Sequence, residues 1–134
     1  MPYKRLNEIG SMKVNPPTER SLQILFSPQV DGDMENFTAL MSTIAPHSGQ
    51  TGTHTHPVDE LIYIITGRGE GEENGKTFKI EPGTIIYAKA GIPHNCKNYS
   101  DETMQMYCIY VPALADDAVE RITKNAKIRV KKIK

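Results

Sequence analysis

Residues 49–67 read GQTGTHTHPVDELIYIITG, and this stretch decides the fold prediction. His54 and His56 are two residues apart, and residues at that spacing in an extended chain point to the same face. Glu60 has the same parity, so two imidazole nitrogens and one carboxylate oxygen are predicted to converge on one point. This ligand set suits one divalent transition metal ion, with iron, manganese, cobalt, nickel, copper and zinc all open.

A second stretch supplies a fourth candidate ligand. Residues 83–98 read GTIIYAKAGIPHNCKN, in which Gly91 and Pro93 come just before His94. Glycine and proline shape a turn, and this turn is expected to bring His94 onto the neighbouring strand. A lone His-x-His pair is often polar surface or hydrogen-bonded core. Four candidate ligands with flanking glycines favour a metal site.

The two stretches resemble the two sequence motifs of the cupin superfamily. The first motif is His-x-His, three or four residues, Glu, six residues and Gly, and its matches are His54, His56, Glu60 and Gly67. The second is Gly, five residues, Pro, one residue, Gly, two residues, His, three residues and Asn, and its matches are Gly83, Gly91, His94 and Asn98. The resemblance implies a cupin fold and a metal bound by His54, His56, Glu60 and His94.

The chain departs from the family pattern at two places. Lys89 stands where the second motif has proline, and Gly49 lies one residue closer to the first histidine than is usual. Neither position is a ligand, so the departures affect loop geometry and leave the metal assignment intact. The short segment between Gly67 and Gly83 resembles that of small microbial cupins.

The middle of the chain shows short β-type runs rather than helical periodicity. Six runs are predicted as strands: 21–26, 37–45, 61–66, 77–80, 84–88 and 103–111. Turn signals such as Asn74-Gly75 separate nearly all of them. Together with the resemblance, this pattern predicts an all-β fold, a cupin-type antiparallel β-barrel of jelly-roll form with a short C-terminal helix.

The chain of 134 residues is expected to form one domain. Within it we predict N-terminal strands or an arm at 1–35, the conserved cupin barrel at 36–112, and a C-terminal helix with a basic tail at 113–134. Leu114, Ala118 and Ile122 have the four-residue spacing of a helix. The basic run at its end is expected to be a solvated tail or an edge strand.

Composition excludes several functional classes. The 16 basic and 16 acidic residues balance, so no global field draws the chain to nucleic acid or to an anionic membrane. The longest apolar run, 61–65, is far shorter than the roughly 20 residues of a membrane-spanning helix. Residues 1–10 do not resemble a signal peptide, so a cytoplasmic location is expected. Cys96 and Cys108 are expected to be free thiols.

Strand parity also indicates which residues line a ligand pocket. Ile62 and Ile64 continue the inward face from Glu60, and Cys96 and Asn98 share the face of His94. Alternation leaves the orientation of further candidates open, and these are Met41, Gln50, Met104, Met106, Tyr107 and Tyr110.

The leading functional hypothesis is a mononuclear metal-dependent enzyme of the dioxygenase, decarboxylase or isomerase type. Four protein ligands on a six-coordinate ion leave about two positions for a small oxygenated organic molecule, water or oxygen. The alternative is a non-catalytic cupin that binds a sugar or other metabolite, since fold does not determine function. Arg68 and Lys89 are the only cations on the core strands nearest the motifs, which leaves anion recognition open.

A homodimer is the expected assembly. Leu61, Tyr63 and Ile65 are apolar on the face opposite Ile62 and Ile64. A strand that is apolar on both faces needs a cover on each side. A partner subunit, the N-terminal segment or the C-terminal helix would provide it.

Overall fold

The computed structural model describes residues 2–127, and most of its elements are β-strands. The strands in this range are β1 (Met12–Val14), β2 (Arg20–Phe26), β3 (Thr38–Ile44), β4 (Asp59–Ile64), β5 (Gly69–Glu73), β6 (Lys76–Ile80), β7 (Ile85–Ala88), β8 (His94–Asn98) and β9 (Met104–Val111). The helical elements are a 3₁₀ turn (Leu6–Glu8), α1 (Pro28–Asp31) and α2 (Asp116–Lys124).

The strands form two antiparallel sheets. The larger has the order β1-β2-β3-β9-β4-β7, and the smaller has the order β6-β5-β8. One hydrophobic core draws on both sheets, with Ile62 and Met104 from the larger packed in the same cluster as Ile80 and Cys96 from the smaller. The predicted all-β jelly roll is confirmed, as two sheets around one core rather than a continuously closed barrel.

Each of the six predicted runs overlaps a strand, and the ends of that strand lie within two residues of the prediction. Strands β1, β5 and β8 were not among those runs. Strand β5 reads GEGEE and has no apolar alternation. A Cβ on Gly69 would overlap the carbonyl oxygen of Lys97, and one on Gly71 would overlap the ring of Phe78. This strand therefore forms because β6 and β8 pack closely against it on either side, which local propensity does not reveal.

The predicted C-terminal helix is present as α2. It begins at Asp116, so Leu114 precedes it, and its buried residues are Val119 and Ile122. The helix packs against β2. Residues 128–134 of the predicted basic tail lie outside the described residues. No helix within residues 2–127 is long and apolar enough to cross a membrane.

Candidate metal centre

A backbone pairing brings the two sequence motifs together. His54 and His94 form an antiparallel bridge, in which each N–H donates to the other's carbonyl oxygen at 3.1 and 3.0 Å. This bridge sets the two imidazoles side by side, with ring centroids 4.4 Å apart. His54 and His56 therefore precede β4 rather than lying on it, while Glu60 is within β4 and His94 begins β8.

The glycine turn of the second motif is also tied to the first motif. Gly91 has a φ of 80°, a left-handed conformation that glycine adopts without strain. Its N–H donates to the carbonyl oxygen of His56 at 2.8 Å. The turn forms with Lys89 at the proline position, and the Lys89 carbonyl oxygen accepts from the N–H of Ile92 at 3.1 Å.

The four candidate ligands meet in one cluster. The potential ligand atoms of His54, His56, Glu60 and His94 all lie within 4.8 Å of one another. Glu60 Oε1 is 3.1 Å from His56 Nε2 and 3.3 Å from His94 Nε2. Two of the rings are oriented through Nδ1, which lies 2.7 Å from the Gly52 carbonyl oxygen for His54 and 3.1 Å from that of Ile92 for His94.

Within residues 2–127, this arrangement leaves the inner atoms without hydrogen bonds outside the cluster. A neutral imidazole that donates through Nδ1 presents a lone pair at Nε2. Nε2 of His56, Nε2 of His94 and Oε1 of Glu60 are buried, and within residues 2–127 none of them has a hydrogen-bond partner outside the cluster. Buried polar atoms of this kind are costly unless something compensates them. Three nitrogens and a carboxylate oxygen facing one point fit a divalent transition metal ion.

The electrostatics of the cluster favour a cation. Burial would raise the pKa of Glu60, but the adjacent imidazoles of His56 and His94 lower it to about 2, so the carboxylate is ionised at neutral pH. Burial lowers the pKa of His54, which favours its neutral form. Burial also opposes the charge on His94, but the Glu60 carboxylate outweighs it and raises the pKa of His94. A metal ion would compete with this proton for the same negative charge.

A cavity of about 290 Å³ adjoins the cluster. Of the pocket residues predicted from sequence, Ile62 and Cys96 line it, together with Met106 and Tyr110 from β9. Ile64 is fully buried in the core and does not reach the lining.

Met41, Gln50 and Tyr107 are not among the cavity-lining residues. Tyr107 is on the outer face of β9, where exposed and buried residues alternate along the strand. Met41 pairs with Tyr107 in the sheet register and shares that face. Gln50 is turned toward Asn95, whose amide nitrogen donates to its Oε1 at 3.0 Å.

Asn98 is on the buried face of β8 with His94 and Cys96, but it serves the fold and does not line the cavity. Its side chain is fully buried, and its amide nitrogen donates to the carbonyl oxygens of Glu102 at 2.8 Å and Ala45 at 3.1 Å. Its Oδ1 accepts from the Ser100 N–H at 3.0 Å. The asparagine of the second motif therefore holds together the loops at the end of β8.

Arg68 and Lys89, the two cations on the strands nearest the motifs, do not line the cavity. Arg68 lies at the surface, where it pairs with Glu81 at 3.2 Å, and Lys89 is exposed. Arg20 on β2 and Arg121 on α2 line the cavity instead. Arg20 has the same strand parity as the buried Leu22, and this could have indicated from the sequence that Arg20 faces inward. Arg121 reaches the cavity only because α2 packs on β2.

Comparison with known proteins identifies the class. A family model described as a cupin domain matches residues 40–110, a range that holds all four candidate ligands. The chain belongs to the cupin family.

Among curated proteins, the chain is similar to L-ectoine synthase of Aliivibrio fischeri strain MJ11, with 33% identity over 72 residues, 52% of this chain and 56% of that protein. It is also similar to the uncharacterized protein MJ1618 of Methanocaldococcus jannaschii, with 26% identity over 83 residues, 61% of this chain and 66% of that protein. The matches thus span between about half and two thirds of the length of these relatives.

Among solved structures, ectoine synthase from P. lautus superposes with a TM-score of 0.72 at 23% identity, covering 100% of this chain and 94% of that one. A predicted oxalate decarboxylase from Thermotoga maritima also gives a TM-score of 0.72, at 20% identity, covering 84% of this chain and 99% of that one. At these identities the two structures establish the fold.

Proposed function

We propose that this cupin is a mononuclear metal-dependent enzyme acting on a small oxygenated organic molecule, by dioxygenation, decarboxylation or isomerisation. The observation that carries the proposal is the group of buried atoms of His56, Glu60 and His94 that face only one another, beside a cavity of metabolite size. An ion held by these residues and His54 would polarise a substrate oxygen. The similarity to L-ectoine synthases supports a small-molecule substrate.

The cavity side chains outside the cluster act through binding and exclusion of water. Burial raises the pKa of Tyr110 well above its usual value, so its hydroxyl stays protonated beside the Glu60 carboxylate and helps to orient it. Burial likewise raises the pKa of Cys96 to about 12 and that of Cys108 well above its ordinary value. Neutral thiols are poor nucleophiles, so covalent catalysis by either cysteine is disfavoured.

A non-catalytic metabolite-binding cupin is the second candidate. One observation favours it: outside the four-residue cluster, the described lining residues include no histidine and no carboxylate. A general base separate from the metal ligands is therefore lacking among them. Turnover, rather than binding, separates the two candidates.

The experiment is removal and return of the metal. Purified protein is stripped with a chelator, reloaded separately with Fe, Mn, Co, Ni, Cu or Zn, and assayed against small hydroxy, keto and sugar acids. We expect turnover to vanish on stripping and to return with at least one metal. Full activity in the stripped protein would contradict a metal-dependent enzyme. Ligand binding without turnover under any metal would favour the second candidate.

We further propose a homodimer formed through the outer face of β9, β4 and β7. Leu61, Tyr63, Ile85 and Tyr87 on this face are 48%, 44%, 65% and 55% exposed. The sheet register pairs Leu61 with Tyr87 and Tyr63 with Ile85, so they form one continuous apolar patch. An exposed patch of this kind is typical of a protein–protein interface.

The two buried free thiols support a cytoplasmic location, where thiols stay reduced.

A further inference from the structure

Two arginines share the cavity with the candidate metal ligands. Arg20 begins β2 and Arg121 lies in the last turn of α2, and both line the same cavity as His54, His56 and Glu60. Burial, and then the charge of Arg121, lowers the pKa of Arg20, which indicates that the two guanidinium groups interact.

Among residues 2–127, no carboxylate forms an ion pair with either arginine. By contrast, Arg68 pairs with Glu81 and Lys124 with Glu120. The hydrogen bond of Arg20 is to a backbone oxygen, from Nη1 to the Thr18 carbonyl at 2.9 Å. Like charges placed together in a partly buried site repel each other unless an anion compensates them.

A third polar side chain in this cavity has no hydrogen-bond partner among the described residues. Ser42 on β3 lines the cavity and is only 3% exposed. Its Oγ has no hydrogen-bond partner within the described residues. A buried hydroxyl of this kind is nearly always hydrogen-bonded to protein or to ordered water, so the Ser42 hydroxyl is available to a water molecule or to a polar ligand in the cavity.

We propose that Arg20 and Arg121 bind an oxyanion group of the substrate, a carboxylate or a phosphate, with Ser42 as an additional hydrogen-bond partner. Guanidinium groups match the paired oxygens of both oxyanions. The substrate is then a small organic anion that is held by the arginines at one end and reaches the metal ligands at the other. The second half of this statement rests on the proposed function, whereas anion binding by the arginines does not.

The test measures anion binding by calorimetry at low ionic strength, where charge interactions are least screened. Protein that has been incubated with zinc and freed of excess metal is titrated with succinate, with its neutral diamide succinamide, and with inorganic phosphate. We expect succinate or phosphate to bind at least tenfold more tightly than succinamide. The anion that binds with the higher affinity shows whether the site prefers a carboxylate or a phosphate.

Two variants assign the site to the arginines. Arg20→Gln and Arg121→Gln are each expected to weaken anion binding at least tenfold. Lys124→Gln is the matched control, because it removes the same charge from the same helix at an exposed position outside the cavity. The Lys124→Gln variant is expected to bind the anion with an affinity within twofold of that of the wild type. Arg20 also donates a hydrogen bond to the backbone, so the Arg20→Gln variant could fail to fold. The Arg121→Gln variant then still tests the inference, because Arg121 is exposed.

Unchanged anion affinity in both arginine variants, or no binding of either anion by the wild type, would overturn the inference. Metal content measured on the same samples separates this from the proposed function. Loss of anion binding with full metal content in Arg121→Gln supports the arginine site. A wild type that binds the anion but no metal would retain that site, and would refute the metal enzyme and the substrate's reach to the metal.

Discussion

At the scale of single residues, the candidate metal centre depends on which nitrogen of each imidazole carries the proton. Carbonyl oxygens of Gly52 and Ile92 accept from Nδ1 of His54 and His94, so Nε2 of both rings is left as a donor atom for a metal. The backbone of the two motif loops thus selects the tautomer. The side chains alone do not specify it.

The double variant His54→Ala/His94→Ala is expected to lose stoichiometric metal binding, because it removes two of four ligands from one cluster. Elemental analysis and metal-induced change in Tm are the measurements, since a bound metal stabilises the folded state. His47→Asn is the control, because His47 is exposed and outside the cluster, and asparagine tolerates its φ of 71°. Stoichiometric metal in the double variant would place the site elsewhere.

Asn98→Ala is expected to lower the free energy of unfolding by about 1–3 kcal/mol, the cost of leaving buried hydrogen-bonding groups unpaired. The carbonyl oxygens of Glu102 and Ala45 would lose their donor. Urea unfolding gives the measurement, with Lys97→Ala on the same strand as the control. A variant as stable as the wild type would show that these bonds do not matter.

Cys96 and Cys108 are expected to resist alkylation in the folded protein. They are 3% and 1% exposed, and burial raises the pKa of Cys96 to about 12, so little thiolate forms near pH 8. Iodoacetamide labelling followed by mass spectrometry is the measurement. Both thiols should react in denaturant, and rapid labelling of the native protein would contradict their burial.

At the scale of elements, β5 shows how pairing on both sides maintains a strand with little intrinsic β-propensity. It has β6 on one side and β8 on the other, and the register places Gly69 opposite Asn98 and Glu73 opposite His94. The same strand therefore positions both the structural asparagine and a candidate ligand. A disturbance at β5 should reach the metal centre through β8.

Gly69→Ala tests this connection. Its Cβ would overlap the Lys97 carbonyl oxygen, so β8 must shift. We expect a loss of about 1–3 kcal/mol in the free energy of unfolding, as for other overpacked sites, together with weaker metal binding. Glu70→Ala on the same strand is the control, and both properties are measured by urea unfolding and metal titration. Wild-type stability would mean that the β5–β8 pairing absorbs a methyl group.

At the scale of the whole molecule, the two faces of the large sheet have different roles. The inner face of β4 and β9 carries Glu60, Ile62 and Tyr110 toward the cavity. The outer face carries the apolar patch of Leu61, Tyr63, Ile85 and Tyr87. Burying this patch between two subunits would remove apolar surface from water without covering the cavity residues of the inner face.

Tyr63→Glu is expected to convert a dimer to a monomer, because it places a charge in the centre of this patch. Light scattering at micromolar concentration measures the mass. Val30→Glu is the control, since Val30 is exposed on α1 and outside the patch. A wild-type protein with a clean monomer mass would refute the dimer.

The sequence by itself determined the fold class, most strands and the residues of the candidate ligand set. These depend on short-range regularities, namely the alternation of side chains along a strand and the fixed spacing of His54, His56, Glu60 and His94 within two motifs. Strand β5 escaped because its GEGEE sequence has no such regularity.

Only the tertiary structure decided which side chains line the cavity. Alternation along β9 allowed either Tyr107 or Tyr110 to face inward, and the pairing of β9 between β3 and β4 selected Tyr110. Arg20 and Arg121 are about a hundred residues apart and meet because α2 packs on β2. Contacts of this range depend on how whole elements pack, and no local pattern encodes them.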